Sequence, residues 1–480
     1  MKLMGMLSAL ILCQFAIAQN AGQSGDTCHC LAQWAFVKSY MEQNHAAFPD
    51  NVPPGRAPAY NRFCAALKAS ILQDGCRTHC RSFIEQYLQF FKDGHLYINE
   101  ALPLVDEDDS DAVRSIKASQ AFKNTETITL DDHTETGLLQ KGDTEIEGIY
   151  FSYPYNAYTI AVLQQGNRYK GVISASSSKL WSRGQVKFIL TPEGGDRYMA
   201  RVWLKDHSQE LKAVRYSTDG TLAGLFLSKR RDPPEPPPLF AFRMLNDSTC
   251  YLRVGSFRGD LYHFLDSCYA SHARQITSTP YLVIDVRDNG GGSEKCYQSL
   301  IDFIYTNPIV HDVTELYATP GNILIYEAEL KKIKADSLAY GPESVREMQG
   351  YIAKMRGARP HTFIPMDGPG PVYTTRARVL PYPRKVALLY NRNCASASES
   401  FIAAAMQSKK TISVGEHSGG YIGYGNVFAV PVPGSNLTLG CTTFRSRTLR
   451  KYEGVGIPPK YRLAANSDWV EATLAILCRQ

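Results

Sequence analysis

A chain of 480 residues is too long for one ordinary hydrophobic core and sets a prior of two to four domains. Apolar residues make up 44% and charged residues 20%, globular values that exclude extensive disorder. The net charge of +6 comes only with scattered basic clusters such as Lys229-Arg230-Arg231, so no nucleic-acid partner is expected.

Lys2 precedes an apolar run from Leu3 to Ile17 that closes on Ala16-Ile17-Ala18. A positive start, a short apolar stretch and a small-x-small site predict a secretory signal peptide over 1–18 and a periplasmic or extracellular protein. The run is too short for an anchor, and no later stretch reaches eighteen uncharged apolar residues, so stable membrane insertion is not expected. Of twelve cysteines, Cys13 would leave with the signal and eleven would remain in an oxidising compartment. Cys28-x-Cys30 and Cys76-x-x-x-Cys80 sit at the ends of two helical-looking segments, where two bridges would staple a hairpin. The rival is a metal site using His29 and His79. An odd total leaves a free thiol, with Cys64 and Cys394 the first candidates.

Residues 19–105 form a helical domain by pattern. Trp34, Phe36, Val37 and Tyr40 recur near a 3.6-residue period, as do Phe83, Ile84, Tyr87, Leu88 and Phe91. A middle antiparallel β domain, with its connector, spans 106–232. It opens on a polar, acidic stretch from 106 to about 130 that reads as a solvated connector. Alternating runs rich in β-branched and aromatic residues follow, at Gly148–Tyr153, Tyr158–Val162, Tyr169–Ile173 and Tyr198–Trp203. Their spacing of about ten residues predicts a small barrel or sandwich. Pro233-Pro234-Glu235-Pro236-Pro237-Pro238 reads as a semi-rigid linker.

From 239 to 480 strand and helix patterns alternate, which predicts an α/β core. Strands are expected at Tyr251–Val254, 281–285, Val386–Tyr390 and Thr411–Val414. Helices are expected at Leu261–Ile276, from Ser293 and after Ser396, and a charged helical insertion at 325–357 is expected to lie outside the core.

Two of these strands feed unusual turns. The first leads to Asp285-Val286-Arg287-Asp288-Asn289-Gly290-Gly291-Gly292, the second to Cys394-Ala395-Ser396-Ala397-Ser398-Glu399. A serine hydroxyl is nearly inert unless a base takes its proton and a tight turn presents it. Ser396 has alanine on both sides and a helix after it, so the Ala397 amide can face a developing oxyanion. The glycine loop can supply the second amide, from Gly290 or Gly291. Ser398 and Cys394 remain rivals for the nucleophile, because spacing does not rank the three.

Together with Val414-Gly415-Glu416 and Glu453-Gly454-Val455-Gly456-Ile457-Pro458, these motifs resemble the tail-specific (carboxyl-terminal processing) serine peptidase family over roughly 239–480. The resemblance is nearest to its tricorn-core and interphotoreceptor retinoid-binding branch. It implies an α/β catalytic core with ClpP/crotonase-like layers, protein or peptide substrates and no cofactor. It carries the nucleophile to Ser396, with Cys394 replacing the first serine of the family's turn. Many members use a lysine some 25 residues further on; here Tyr421 holds that spacing. The tricorn-like branch uses a histidine from an amino-terminal segment, and Asp93-Gly94-His95 resembles that motif. His95 is therefore the implied base and acid, and Glu453 its polar partner at the site; His417 is the rival base. Many relatives also carry a PDZ domain, but 130–230 shows no carboxylate-binding loop of that type. The alternative to an exported serine peptidase is a catalytically inactive peptide- or ligand-binding protein of the same fold. A weaker reading is an esterase, which the absence of a G-x-S-x-G elbow disfavours.

Overall fold

The computed structural model describes residues 29–75, 78–100, 105–153, 155–217, 219–231, 237–335, 341–464 and 467–479. The expected signal peptide, Cys28, Cys76 and most of the proline linker lie outside them. Among the described residues no helix is long and apolar enough to cross a membrane.

The α/β core is built on a six-stranded sheet in the order Phe240–Asn246, Thr249–Val254, Tyr281–Asp285, Lys385–Tyr390, Thr411–Gly415, Tyr461–Arg462. The first pair is antiparallel and every later pair parallel. Parallel strands covered on both faces need apolar residues at every position, which explains the unbroken runs of the sequence. Leu282, Ile284, Val386 and Leu388 point to one core, with the helices Tyr262–Ile276, Gln298–Ile304 and Ala397–Ala405. Val283, Ala387, Leu389 and Val414 point to the other, under the helix Trp469–Cys478. The carboxyl ends of the two central strands open onto 286–292 and 391–396, where open α/β sheets place their ligands.

A second sheet has no counterpart among the expected strands. It pairs Tyr97–Glu100 with Leu437–Ser446, and continues through Thr314–Ala318 and Thr362–Pro365; Tyr424–Pro431 also pairs with Leu437–Ser446. The pairing Tyr97↔Gly440 to Glu100↔Leu437 sews the amino-terminal helical region onto the core. The charged insertion begins earlier than expected, as two helices, Pro320–Ala335 and Pro342–Gly357. It does not stand outside: Tyr326, Ile352 and Met355 are buried against Leu316 and Ala318 in a core of their own.

The helical region holds Cys30–Asn44, Ala57–Asp74 and Cys80–Gln89, and a disulfide joins Cys30 to Cys80. His79 is engaged by Glu100 and Ser208 at 3.2 and 2.7 Å, and among the described residues no group of three His, Cys, Asp or Glu side chains is placed to hold a metal. Cys64 and Cys394 are both free and buried.

The middle domain is a closed eight-stranded barrel from Gly148–Ser152 to Leu227–Ser228, closed by Phe151↔Ser228 and Ser152↔Leu227. The acidic stretch before it is not a bare connector. It forms Ser110–Ala118, Gln120–Lys123 and Asp132–Leu139, each started by a side-chain cap from Asp109, Ser119 or Asp131. Val113, Ile116 and Ile128 then pack on the barrel core, because an amphipathic face outweighs the high local charge.

Candidate active site

The strand Lys385–Tyr390 ends in a turn that delivers Ser396 as the N-cap of the helix Ala397–Ala405, with φ 56° and ψ −123°. A non-glycine residue in this region costs about 1–3 kcal/mol and persists only where its surroundings hold it. Three contacts do so. The Ala395 N–H donates to the Asn289 carbonyl at 3.1 Å, the Cys394 thiol donates to the Val286 carbonyl at 2.9 Å, and the Ser396 N–H donates to Glu399 Oε2 at 3.2 Å.

Gly291 lies flat against this turn. A Cβ on it would stand 2.4 Å from the Ala395 carbonyl oxygen and 2.9 Å from both the Ala397 nitrogen and Ser396 Cβ, and its φ is +91°. Only glycine lets the two loops touch. The Gly291 N–H, however, donates to Asn289 Oδ1 at 2.9 Å, so this amide is already engaged. Gly290 is exposed beside it. Ala397, as the first residue of its helix, has no intrahelical carbonyl for its N–H.

The three candidate nucleophiles differ in access. Cys394 and Ser398 are fully buried, and burial pushes the Cys394 thiol up to about 12, far from a thiolate at neutral pH. Ser396 is partly exposed.

Glu399, fully buried, organises the floor of the site. Its Oε1 accepts from Ser418 Oγ at 2.5 Å and from the Gly420 N–H at 2.9 Å; its Oε2 accepts from the Tyr421 N–H at 2.6 Å as well as from Ser396. Burial lifts this carboxyl above its ordinary value, and the four donors pull the other way. The 417–423 loop is thereby tied to the Ser396 turn, and its other side rests on the Glu453–Pro458 segment, where Gly454 N–H donates to the Gly420 carbonyl at 2.8 Å.

The 97–100 strand brings Asp93, Gly94 and His95 to this loop. The rings of His95 and Tyr421 meet edge to face with centroids 6.1 Å apart, and a Cβ on Gly94 would overlap the Tyr421 ring at 1.5 Å. Glu453 bridges the two segments: its Oε1 accepts from the Gly94 N–H at 3.4 Å and its Oε2 from the Gly423 N–H at 2.6 Å. Burial, with the nearby Asp93 charge, pushes the Glu453 carboxyl up to about 8. His95 Nδ1 is buried without a hydrogen-bond partner, 3.9 Å from Asp93 Oδ1. Burial lowers its pKa, and Asp93 opposes that. Among the described residues no hydrogen bond joins the His95 ring to the Ser396 hydroxyl.

Asp93 has a role that no local sequence pattern announces. It accepts from the His95 N–H at 2.9 Å, from Thr442 Oγ1 at 2.8 Å and from fully buried His45 Nε2 at 2.9 Å. Burial raises its carboxyl, but the bonds from His45 and Thr442 and the His95 ring hold it below the usual range. The rival base His417 is bonded through Nδ1 to the Val455 carbonyl at 3.1 Å, and Glu416 pairs with Arg392.

A cavity of about 910 Å³ opens beside these residues. The helix Cys80–Gln89, the Asp93–Asn99 segment, Gly419–Tyr421 and, from the barrel, Arg197, Lys212 and Gly224 line it.

The chain has no match among curated proteins. Among solved structures it is similar to mature CPAF in complex with lactacystin, at 13% identity over 94% of this chain and 97% of that one, with a TM-score of 0.46. It is similar to the photosystem II D1 C-terminal processing protease, at 11% identity over 94% and 97%, TM-score 0.37. A candidate peptidase from Parabacteroides merdae ATCC 43184 shares 19% identity over 50% of this chain, TM-score 0.33, and the present chain spans 64% of its length. The model of peptidase family S41 matches from Thr249's neighbour Ser248 through the Ser396 turn and the Glu453–Pro458 segment to Leu463. Over residues 248–463, a little under half of the chain, the sequence is similar to peptidase family S41.

Proposed function

We propose that this protein is an exported serine endopeptidase that cuts protein or peptide substrates through an acyl-enzyme on Ser396. The observation that carries the reading is the Ser396 turn. A partly exposed serine is held at φ 56° at a helix amino terminus, in contact with a glycine loop, in the same cluster as a half-buried imidazole. In the proposed reaction the Ser396 oxygen attacks a substrate carbonyl while His95 takes its proton. The oxyanion is held by the N–H groups of Ala397 and Gly290, since the Gly291 N–H is bonded to Asn289. His95 returns the proton to the departing amine, and water then releases the acyl group by the same path in reverse. Glu453 is a polar partner that fixes the backbone on which His95 rides, through Gly94. The lack of a His95–Ser396 hydrogen bond accords with sites that tighten only when substrate is bound. The amino-terminal apolar segment supports export.

The same missing bond is what favours the second reading, a binding protein that retains the fold without turnover. Hydrolysis of an unfolded, fluorescently labelled protein separates the two. The peptidase reading expects release of small peptides by the secreted chain and none by a folded S396A variant. Hydrolysis that survives S396A, or none by the unaltered chain, overturns it.

A further inference from the structure

The barrel has its own cavity, of about 250 Å³, remote in role from the peptidase cluster: no residue of that cluster lines it. Its wall is formed by Tyr158, Ile160, Phe188, Val202 and Leu227, and among the described residues lining it Lys187 alone carries a charge. Lysine is among the residues least often buried without a partner. Here the amine donates one hydrogen bond, to the Trp203 carbonyl at 2.7 Å, and lies 3.9 Å from the Trp181 ring centroid and 5.1 Å from that of Tyr158. An ammonium has three donors, and among the described residues Lys187 has no ion pair. The acids nearest to it in charge are otherwise engaged: Glu107 pairs with Lys205 at 2.7 Å, and Asp206 accepts from Ser208 Oγ at 2.5 Å. Burial, with Lys205 adding to it, pushes the amine down to about 7. An incoming anion would restore its charge.

The mouth is unusual as well. Tyr155 is 88% exposed and Phe226 62%. Phe226 sits at φ 55°, a region that bulky residues avoid, with its carbonyl fixed by the Tyr153 N–H at 3.0 Å and its ring edge-on to Tyr153. Exposed aromatic rings around an apolar opening, one of them held at a backbone cost, are a feature of ligand sites rather than of packing.

We propose that the barrel binds a small apolar carboxylic acid, its carboxylate on Lys187 and its body among Tyr158, Phe188, Val202 and Leu227. At about 30 Å³ per water-sized unit the cavity admits about eight non-hydrogen atoms, so an eight-carbon acid, with two carboxylate oxygens more than that, fills it and extends its end to the Tyr155–Phe226 rim. Calorimetric titration of the full chain at about pH 6 compares octanoate, 1-octanol and octylamine. The expected result is one octanoate per chain, bound at least about tenfold more tightly than the other two. In K187M, checked for fold by circular dichroism, octanoate binding falls to the level of octanol, while octanol is unchanged. Equal affinity for the three ligands, or no saturable octanoate binding, overturns the proposal. The three-ligand comparison on the unaltered chain decides it even if K187M does not fold.

Discussion

Replacing Glu399 by glutamine tests whether a buried carboxylate holds the Ser396 turn to the 417–423 loop. The side chains have nearly the same shape, but the amide has one acceptor and one donor end where the carboxylate has two acceptors. With the NH2 group at the Oε2 position, two backbone N–H groups, of Ser396 and Tyr421, face a donor. With it at Oε1, the Ser418 hydroxyl can rotate and accept, yet the Gly420 N–H is still stranded. Each stranded buried donor costs about 1–3 kcal/mol, and the surviving bonds lose their charge assistance, so E399Q is expected to destabilise the core by about 2–5 kcal/mol. Urea unfolding with linear extrapolation, followed alongside peptide release, measures both consequences. Activity should fall too, because the strained Ser396 backbone loses one of its three restraints. A carboxyl that were protonated at neutral pH would already resemble the amide. An E399Q stability within about 0.5 kcal/mol of the unaltered chain would therefore refute the four-donor carboxylate account.

Other perturbations follow from the same geometry. G291A forces a Cβ to 2.4 Å from the Ala395 carbonyl at a φ of +91°; loss of one aligned oxyanion donor costs about 3 kcal/mol, so peptide release should fall by about a hundredfold or more, and an unchanged rate would remove the glycine loop from the site. Since burial lowers the His95 pKa and the ring must be neutral to accept a proton, kcat/KM should rise through a group titrating below 6.5, and a limb at or above that value would contradict the assignment. Glu453 has the opposite sign of effect on folding. Its folded pKa of about 8 exceeds the ordinary 4.5, so its protonation contributes stability that is complete below 4.5 and is lost as pH rises through 8. E453Q should flatten that decline, whose slope is at most about 1.4 kcal/mol per pH unit; a parallel stability profile in the variant would show that Glu453 is not its source.

The elements that present Ser396 were readable because parallel strands with both faces covered leave a local signature, an apolar run closed by a turn, at 281–285 and 386–390. The barrel strands were readable for the complementary reason, that one face is wet and the residues alternate. What the sequence hides is long-range pairing. Tyr97-Ile98-Asn99-Glu100 has little strand character of its own and becomes a strand only because Leu437–Gly440, some 340 residues later, supplies its partner. That pairing is what carries His95 to the core, and no local pattern announces it; only the resemblance of Asp93-Gly94-His95 to a family motif pointed there. The Asp93–His45 contact and the bonds to Glu399 from Ser418, Gly420 and Tyr421 were invisible for the same reason, since each joins segments distant in sequence; only the Ser396–Glu399 bond, a capping contact three residues long, is local. The helices at 110–139 are a different case. Asp109, Ser119 and Asp131 were available as N-cap signals, and the density of acidic residues obscured them.

In the proposed mechanism an imidazole from the amino-terminal region activates a hydroxyl some 300 residues later. The rate at which a fluorophosphonate labels Ser396, mapped by mass spectrometry, tests it most directly. Ser396 should be labelled in the unaltered chain, with a fall of about 10²–10⁴ in rate for H95A and a rate within a few fold of the unaltered chain for H417A. Labelling of Ser396 at the same rate in H95A, or loss of labelling in H417A alone, would contradict that mechanism.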